Sequence, residues 1–315
     1  MSAPPRLQIQ TILPPPSSVR PIETLFSKDG VFLFATAPSP STSPSGDGDR
    51  DGVILTLTLC RDHEKNVMNP AMVSLLIQAL DVIDSHPVAT DTNNKALIIT
   101  GMNLNENNAP ASKFFSNGLD LEWFLRANSN ASEDNPKPAS KLIESFNSRV
   151  LARILTLPFR TVAAINGHCI GAGLFLALAC DYRIMRTKRG YVQWPESRLG
   201  MRLTKGFAEL SKAKIGNGIG MSSDHHVLRE GVLTAKMFNS AEALSSGIID
   251  AEYPIEELYS HAFRMAMKGL PESPSGMNLE YFDPKAYTEI KVEMYTDAYR
   301  ALKFGKVEDF PSSRI

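Results

Sequence analysis

The chain is short of cysteine, of excess charge and of long apolar runs, and each shortage excludes a class of protein. Its 315 residues include three cysteines, too few for the disulfide framework of a small secreted domain. The formal net charge is −1, so we expect no basic surface for binding a nucleic acid. No apolar stretch approaches the roughly 20 residues that a membrane-spanning helix needs. Hydrophobic residues still make up 43% of the chain, enough for a sizeable core.

The two ends of the chain differ in composition from the rest. Residues 1–25 contain runs of proline and no long apolar core, which excludes a secretory signal and opposes the amphipathic helix of a mitochondrial address. We expect this segment to be flexible. At the other end, Ser313-Arg314-Ile315 resembles the Ser-Lys-Leu peroxisomal address, with Arg in place of Lys and Ile in place of Leu.

The spacing of apolar residues predicts strands that alternate with helices. The expected strands are 31–35, 53–59, 96–101, 161–165 and 182–186, and the expected helices are 70–85, 140–156 and 171–180. The first two strands are expected to pair as a hairpin. Segments rich in Ser, Pro, Gly or Asn predict loops at 37–52, 103–112 and 127–139. This alternation favours an α/β fold.

The segment 163–181 is the most informative part of the sequence. An apolar strand meets a turn at Asn166-Gly167, and the small residues Gly171-Ala172-Gly173 then open an apolar helix. Small residues let a ligand approach the backbone, and the free N–H groups of the helix start face it. Such donors favour a carbonyl that becomes an enolate, because its oxygen gains negative charge during the reaction. Ordinary α/β packing would give the same glycines, so other segments must decide.

Two further segments support a functional interpretation. Upstream, the segment 113–121 follows an apolar strand and contains Gly118 directly after a Ser-Asn pair, which indicates a tight turn that can project a backbone N–H. Downstream, the segment 193–200 places the carboxylate of Glu196 between an aromatic residue and an apolar Leu-Gly turn. An apolar setting raises the proton affinity of a carboxylate and suits it to acid–base chemistry.

Taken together, these segments resemble the crotonase superfamily, also called the enoyl-CoA hydratase/isomerase family. The resemblance covers roughly residues 52–270 and includes four ordered motifs, at 63–69, 115–120, 166–181 and 233–250. It implies a crotonase-type spiral of ββα repeats with a helical C-terminal region. We therefore divide the chain into a flexible segment 1–25, a spiral core 26–240 with loops at 37–52 and 127–139, a helical oligomerisation region 241–312 and a possible peroxisomal address 313–315.

The resemblance also implies a mechanism. A thioester carbonyl would be held by two backbone N–H groups, those of Leu119 and Ala172. Hydratases of the family use two glutamates to hold a water; here one of those positions is Phe175, which has no acid–base capacity, and the other is Glu196. One carboxylate can still move a proton, as in Δ3,Δ2-enoyl-CoA isomerases. Glu196 would remove a proton from C2 of a 3-enoyl-CoA and return it at C4, which gives the trans-2-enoyl-CoA.

The remaining expectations concern ligands. The substrate-binding set implied by the resemblance is Ser116, Asn117, Gly118, Gly171 and Phe175. Coenzyme A enters as part of the substrate, and we expect neither a separate cofactor nor a metal. The pair His225-His226 lacks a further ligand at the usual spacing and is interpreted as solvated. Lys205, Lys212 and Lys214 could reach the CoA phosphates, but solvated helix-face charge is favoured.

Two other functions stay open at this point. A hydratase or acyl-CoA hydrolase of the same fold would need a second acid, for which Glu106 and Glu122 are candidates. A non-catalytic acyl-CoA-binding member would keep the pocket without using Glu196. The resemblance further implies a homotrimer or hexamer that acts in fatty acid β-oxidation. The expected location is peroxisomal, through an import receptor that binds Ser313, Arg314 and Ile315, with mitochondria as the alternative.

Overall fold

A computed structural model describes residues 23–36, 53–86, 95–104, 112–129, 138–215, 224–268 and 283–307. Ten strands lie in this part of the chain: β1 (Glu23–Lys28), β2 (Val31–Thr36), β3 (Val53–Leu59), β4 (Lys95–Thr100), β5 (Phe114–Ser116), β6 (Arg160–Ile165), β7 (His168–Ile170), β8 (Tyr182–Arg186), β9 (Val192–Gln193) and β10 (Ala251–Tyr253). The expected loop 37–52, the tripeptide 313–315 and most of the loops 103–112 and 127–139 lie outside the described residues.

The strands form two sheets, one of seven strands in the order β1-β2-β3-β4-β6-β8-β10 and one of three in the order β5-β7-β9. β2 pairs with β3 in antiparallel fashion, which confirms the expected hairpin partners. From β3 onward the neighbours in the large sheet are parallel, as are all neighbours in the small sheet. Three consecutive strand pairs, β4–β5, β6–β7 and β8–β9, each contribute first to the large sheet and then to the small one. This repetition is the expected spiral.

Helices cover both faces of the large sheet. Their bounds are Pro70–Ser85, Leu121–Ser129, Pro138–Ser145, Ala152–Leu155, Ala172–Ala179, Glu196–Leu199, Lys205–Ile215, Asp224–Leu228, Ser240–Ser245, Ile255–Lys268, Pro284–Met294 and Thr296–Phe304, with a 3₁₀ turn at Asp62–Glu64 and π-helical turns at Phe146–Leu151 and Arg229–Leu233. Asn69 caps the first helix by accepting a hydrogen bond from the N–H of Met72 at 2.9 Å. None of the described helices is long and apolar enough to span a membrane.

The core divides along the large sheet because successive strand residues point to opposite faces. Leu97 and Ile99 belong to the larger core, which includes the helix Ala172–Ala179. Ile98, between them in sequence, packs on the other face against the helix Ile255–Lys268. β4 is therefore buried on both faces, which explains why its sequence is an almost continuous apolar run.

Some boundaries differ from the sequence expectations. β1 begins at Glu23, so residues 23–25 of the segment expected to be flexible belong to a strand. β10 lies inside the region 241–312 that the sequence predicts to be helical, and it extends the large sheet by pairing in parallel with β8. A three-residue strand is too short to show an alternating pattern. The helix expected at 140–156 is continuous from Pro138 but contains the π-helical turn, which apolar spacing alone does not reveal.

The interpretation of Lys214 as solvated charge is wrong, whereas Lys205 and Lys212 are exposed as expected. The Lys214 amine is buried without a hydrogen-bond partner among the described residues, over the ring of Tyr295 at 4.0 Å from its centroid. Burial lowers the pKa of Lys214 to about 7, and the nearby Asp181 carboxylate opposes this shift. Helical spacing predicts which face a lysine occupies, but the C-terminal helices that cover this face come from distant sequence.

We predict that Lys214→Met stabilises the protein, and more at pH 6 than at pH 9. The pKa of Lys214 is about 7 in the folded protein and 10.5 in the unfolded chain, so between these values the unfolded chain binds one proton more. Lys214 therefore lowers the free energy of unfolding most at or below pH 7, and this effect disappears as the pH rises to about 10.5. Removing the amine should raise the free energy of unfolding by roughly 1–4 kcal/mol at pH 6. Lys212→Met is the matched control, because Lys212 is exposed and pairs with Glu209. Equal effects of the two substitutions in denaturant titrations would contradict the prediction.

Candidate active site

The small sheet brings together segments that are far apart in sequence. β5 and β7 are parallel neighbours, so the turns that follow them, at Gly118 and Gly171, lie side by side. Both glycines have positive φ, +87° and +51°. A Cβ on Gly118 would lie 2.8 Å from the carbonyl oxygen of Ile170 and 3.5 Å from the nitrogen of Ala172. The two turns are therefore in backbone contact, which a side chain at Gly118 would prevent.

The backbone N–H groups of Leu119 and Ala172 are free donors at this contact. Neither has a hydrogen-bond acceptor among the described residues. Ala172 is the first residue of its helix, where the N–H has no intrahelical partner and the helix dipole is positive. Leu119 is held from both sides, because the N–H of Met68 donates to the Gly118 carbonyl at 2.7 Å and the N–H of Asp120 donates to the Met68 carbonyl at 3.2 Å. Two fixed donors can bind one oxygen that gains charge.

Glu196 follows β9, the third strand of the small sheet, as the two glycine turns follow β5 and β7. β9 pairs with β7, and the N–H of Gly171 donates to the Gln193 carbonyl at 2.9 Å, which ties the glutamate segment to the second turn. Glu196 is 9% exposed, and its Oε2 is buried without a hydrogen-bond partner among the described residues. Burial raises its pKa to about 7, against a smaller opposing effect of its own backbone N–H. A carboxylate of this kind can exchange a proton near neutral pH.

One cavity of about 210 Å³ contains all of these groups. Of the site residues expected from the sequence, Asn117, Gly118, Leu119, Gly171, Ala172 and Glu196 line it. The other lining residues are mostly apolar, namely Leu121, Ile170, Gln193, Pro195, Arg198, Leu199, Met201 and Phe207. Among the described residues that line this mostly apolar cavity, Glu196 is thus the one carboxylic acid, and it shares the cavity with two backbone donors.

Two of the expected substrate-binding residues lie behind the cavity wall. Ser116 is buried, donates from Oγ to the Asn66 carbonyl at 2.7 Å and accepts from the N–H of Gly118 at 3.2 Å, so it shapes the first turn. Phe175 is buried and stacks on Phe207, with ring centroids 3.9 Å apart. Of the described residues that line the cavity, Phe207 is the one aromatic residue, and sequence reasoning missed it because it stands in no motif. Its only signal is its place in the apolar stripe of the helix Lys205–Ile215.

The remaining candidates do not line this cavity or lie outside the described residues. Glu122 is exposed and pairs with Arg126 at 3.1 Å, and Glu106 is not among the described residues. His226 is exposed and hydrogen-bonds to Arg229. In the part of the chain that the structure describes, no group of three or more His, Cys, Asp or Glu side chains is placed to hold a metal ion. Asp120 caps the helix that follows it, since its Oδ1 accepts from the N–H of Trp123 at 3.0 Å.

Known proteins match this chain along most of its length. A family model described as enoyl-CoA hydratase/isomerase matches residues 49–288. The enoyl-CoA delta isomerase 2, peroxisomal, of Arabidopsis thaliana is 34% identical over 65% of this chain and 76% of its own length.

Solved structures give the same fold. Human mitochondrial delta3-delta2-enoyl-CoA isomerase aligns with a TM-score of 0.58 at 21% identity, over 79% of this chain and 82% of that chain. A probable enoyl-CoA hydratase from Mycobacterium tuberculosis aligns with a TM-score of 0.62 at 23% identity, over 88% and 93%. At these identities the likeness concerns the fold alone.

We predict that Gly118→Ala disrupts the contact between the two turns. The new Cβ would meet the Ile170 carbonyl oxygen at 2.8 Å, so the backbone must move and take the N–H of Leu119 with it. Gly247→Ala is the control: φ there is +68°, but a Cβ meets nothing within 4 Å. Both variants carry the left-handed strain of roughly 1–2 kcal/mol, and only Gly118→Ala should lose a further 1–3 kcal/mol or so in denaturant unfolding. Equal losses would refute the contact.

Proposed function

The chain belongs to the enoyl-CoA hydratase/isomerase family, and we propose that it is a Δ3,Δ2-enoyl-CoA isomerase of fatty acid β-oxidation. The observation that supports this choice is the combination of one buried carboxylate with two free backbone donors in one cavity. Isomerisation needs a single group that removes and returns a proton, together with stabilisation of the enolate formed between these steps.

The proposed reaction begins with the thioester oxygen of a 3-enoyl-CoA between the N–H groups of Leu119 and Ala172. Glu196 removes a proton from C2, and the electrons of the broken C–H bond delocalise over the double bond and the carbonyl as a dienolate. Each donor would stabilise the charged oxygen by roughly 2.7–4 kcal/mol, the cost measured when an oxyanion donor is removed elsewhere. The protonated Glu196 then returns the proton at C4, and the double bond ends between C2 and C3.

The raised pKa of Glu196 fits both halves of this reaction. A carboxylate with a pKa near 7 is ionised in a useful fraction at neutral pH, and it is a stronger base than an exposed glutamate. Because the same group must later release the proton to carbon, a pKa close to the working pH serves both transfers. The unpartnered Oε2 leaves one oxygen free for the substrate.

Hydration is the weaker candidate. It needs a second acid to hold a water, and Glu196 is the only carboxylate among the described residues that line the cavity. The position that would carry the second acid by resemblance is Phe175, which is buried against Phe207. Of the two other candidates, Glu122 points to solvent.

We also propose a peroxisomal location and a homotrimeric or hexameric assembly. The location is supported by the name of the peroxisomal Arabidopsis relative, and Ser313-Arg314-Ile315 stays the predicted address. Expression with an N-terminal fluorescent tag, with and without this tripeptide, tests the location. Light scattering of the purified protein tests the assembly.

Glu196→Gln should abolish isomerisation while leaving acyl-CoA binding nearly unchanged. Glutamine keeps the size of the side chain but cannot accept the proton, so we expect kcat to fall by at least about 100-fold, the lower range for general base catalysis. The assay follows the absorbance of the conjugated thioester formed from 3-hexenoyl-CoA, and calorimetry with hexanoyl-CoA checks binding. A variant that keeps more than a tenth of the wild-type rate would remove Glu196 from the mechanism. If the wild-type protein consumed trans-2-hexenoyl-CoA at a rate comparable to that of isomerisation, the hydratase function would be favoured instead.

The rate of isomerisation should depend on pH through the ionisation of Glu196. The active form is the carboxylate, and its pKa is raised to about 7, so kcat/KM should rise about tenfold per pH unit up to about pH 7 and level off above it. An exposed glutamate would give a plateau from about pH 5 upward. A profile that is flat between pH 5.5 and 8 would show that another group supplies the base.

A further inference from the structure

We propose that Phe207 closes the buried end of the cavity and restricts the enzyme to short acyl chains, an inference about substrate that rests on the isomerase function proposed above. The restriction follows from where Phe207 stands relative to the reacting groups and from what prevents it from moving. Phe207 is thus the residue that sets the preferred chain length in this protein.

The described residues that line the cavity range from half-exposed to buried. Leu121 and Leu199 are 37% and 45% exposed and mark the mouth. Ala172 and Phe207 are 2% and 3% exposed and line its buried part. A substrate whose thioester oxygen reaches the N–H of Ala172 has therefore entered the buried part of the cavity, where the aromatic ring of Phe207 forms part of the wall that its apolar tail meets.

The Phe207 ring has little freedom to turn aside. It stacks on Phe175 with an interplanar angle of 10° and meets the edge of Phe146 at a centroid distance of 6.5 Å. Phe146 and Phe175 are both 0% exposed, so the rings behind Phe207 are themselves held in the core. Close packing of this kind resists rearrangement, since each ring would need space that its neighbours occupy.

The helix that presents Phe207 is also fixed in place. A Cβ on the preceding Gly206 would lie 3.0 Å from Leu302 Cδ2 and 3.1 Å from Asn147 Nδ2, so the helix start is pressed against the C-terminal helix Thr296–Phe304. The Trp194 indole donates to Ser211 Oγ at 3.0 Å, which joins the same helix to the strand that leads to Glu196. The wall and the catalytic segment are therefore held by common contacts.

The size of the cavity agrees with a short chain. The space that the described residues line measures about 210 Å³, below the roughly 300–1,000 Å³ of pockets that enclose a drug-sized ligand. In a hydrophobic pocket, one extra methylene changes the preference between two substrates by about 10–200-fold, so a tail that meets the Phe207 ring should react much more slowly than a shorter one. Shortening that side chain should extend the cavity toward Phe175.

The test measures chain-length preference in two ways. Isomerisation is assayed with 3-hexenoyl-CoA and 3-dodecenoyl-CoA, and binding is measured by calorimetry with hexanoyl-CoA and dodecanoyl-CoA. We expect wild-type kcat/KM to be at least about tenfold lower for the twelve-carbon substrate, because a single methylene that does not fit a hydrophobic pocket already lowers it by about this factor. Phe207→Ala should reduce this ratio to below about threefold, in catalysis and in binding alike. Phe207→Leu, a smaller change of volume, should give an intermediate ratio and covers the case in which the alanine variant does not fold.

Phe263→Ala is the matched control, because Phe263 is also 3% exposed but packs on the opposite face of the large sheet. It should lower stability without changing the chain-length ratio. A wild-type protein that treats both lengths alike, or a ratio that survives both Phe207 substitutions, would overturn the inference. Failure of the isomerase function itself is distinguishable: no substrate would then react, while the binding ratios would still report on Phe207.

Discussion

The contact between two backbone turns is the constraint on which this site depends. Gly118 approaches the Ile170 carbonyl, and a Cβ on Gly173 would lie 2.6 Å from the Ser116 Cβ, so neither position has room for a side chain. This contact places the N–H of Leu119 beside that of Ala172. Donors that converge before the substrate arrives need no reorganisation when charge develops on the oxygen. The parallel small sheet supplies the alignment, since it starts both turns at the same edge.

Burial then gives Glu196 its chemical character. The burial that raises its pKa also places it in a region of low dielectric, where hydrogen bonds from the two backbone donors to a charged oxygen are stronger than in water. Leaving a carboxylate oxygen buried and unpaired costs stability, and the protein keeps it at the cavity where a substrate can approach. The amine of Lys214 is likewise buried without a hydrogen-bond partner among the described residues, but it does not line the cavity and lies over the ring of Tyr295.

The helix Lys205–Ile215 connects these features. Its first turn carries Phe207 into the cavity wall, its middle supports Trp194 through Ser211, and its last turn directs Lys214 toward the C-terminal helices. The C-terminal region therefore acts on the site indirectly, by fixing the helix that forms part of its wall.

The sequence by itself determined the features that rest on local patterns. The bounds of β3, of β8 and of the helix Pro70–Ser85 follow from short-range apolar spacing and from an Asn-Pro cap. The glycine turns could be located because a close backbone approach permits few other residues. The resemblance of three separate segments then placed Leu119, Ala172 and Glu196 in one site, and all three line one cavity.

The tertiary structure alone decided which side chains form the wall. Phe175 follows the glycine turn in sequence but lies behind Phe207, which comes from a helix with no motif. Ser116 shapes a turn instead of facing the cavity, and the amine of Lys214 points inward because a distant helix covers it. Each of these outcomes depends on packing between segments far apart in the chain, and local patterns in a single sequence do not show which of these segments are in contact.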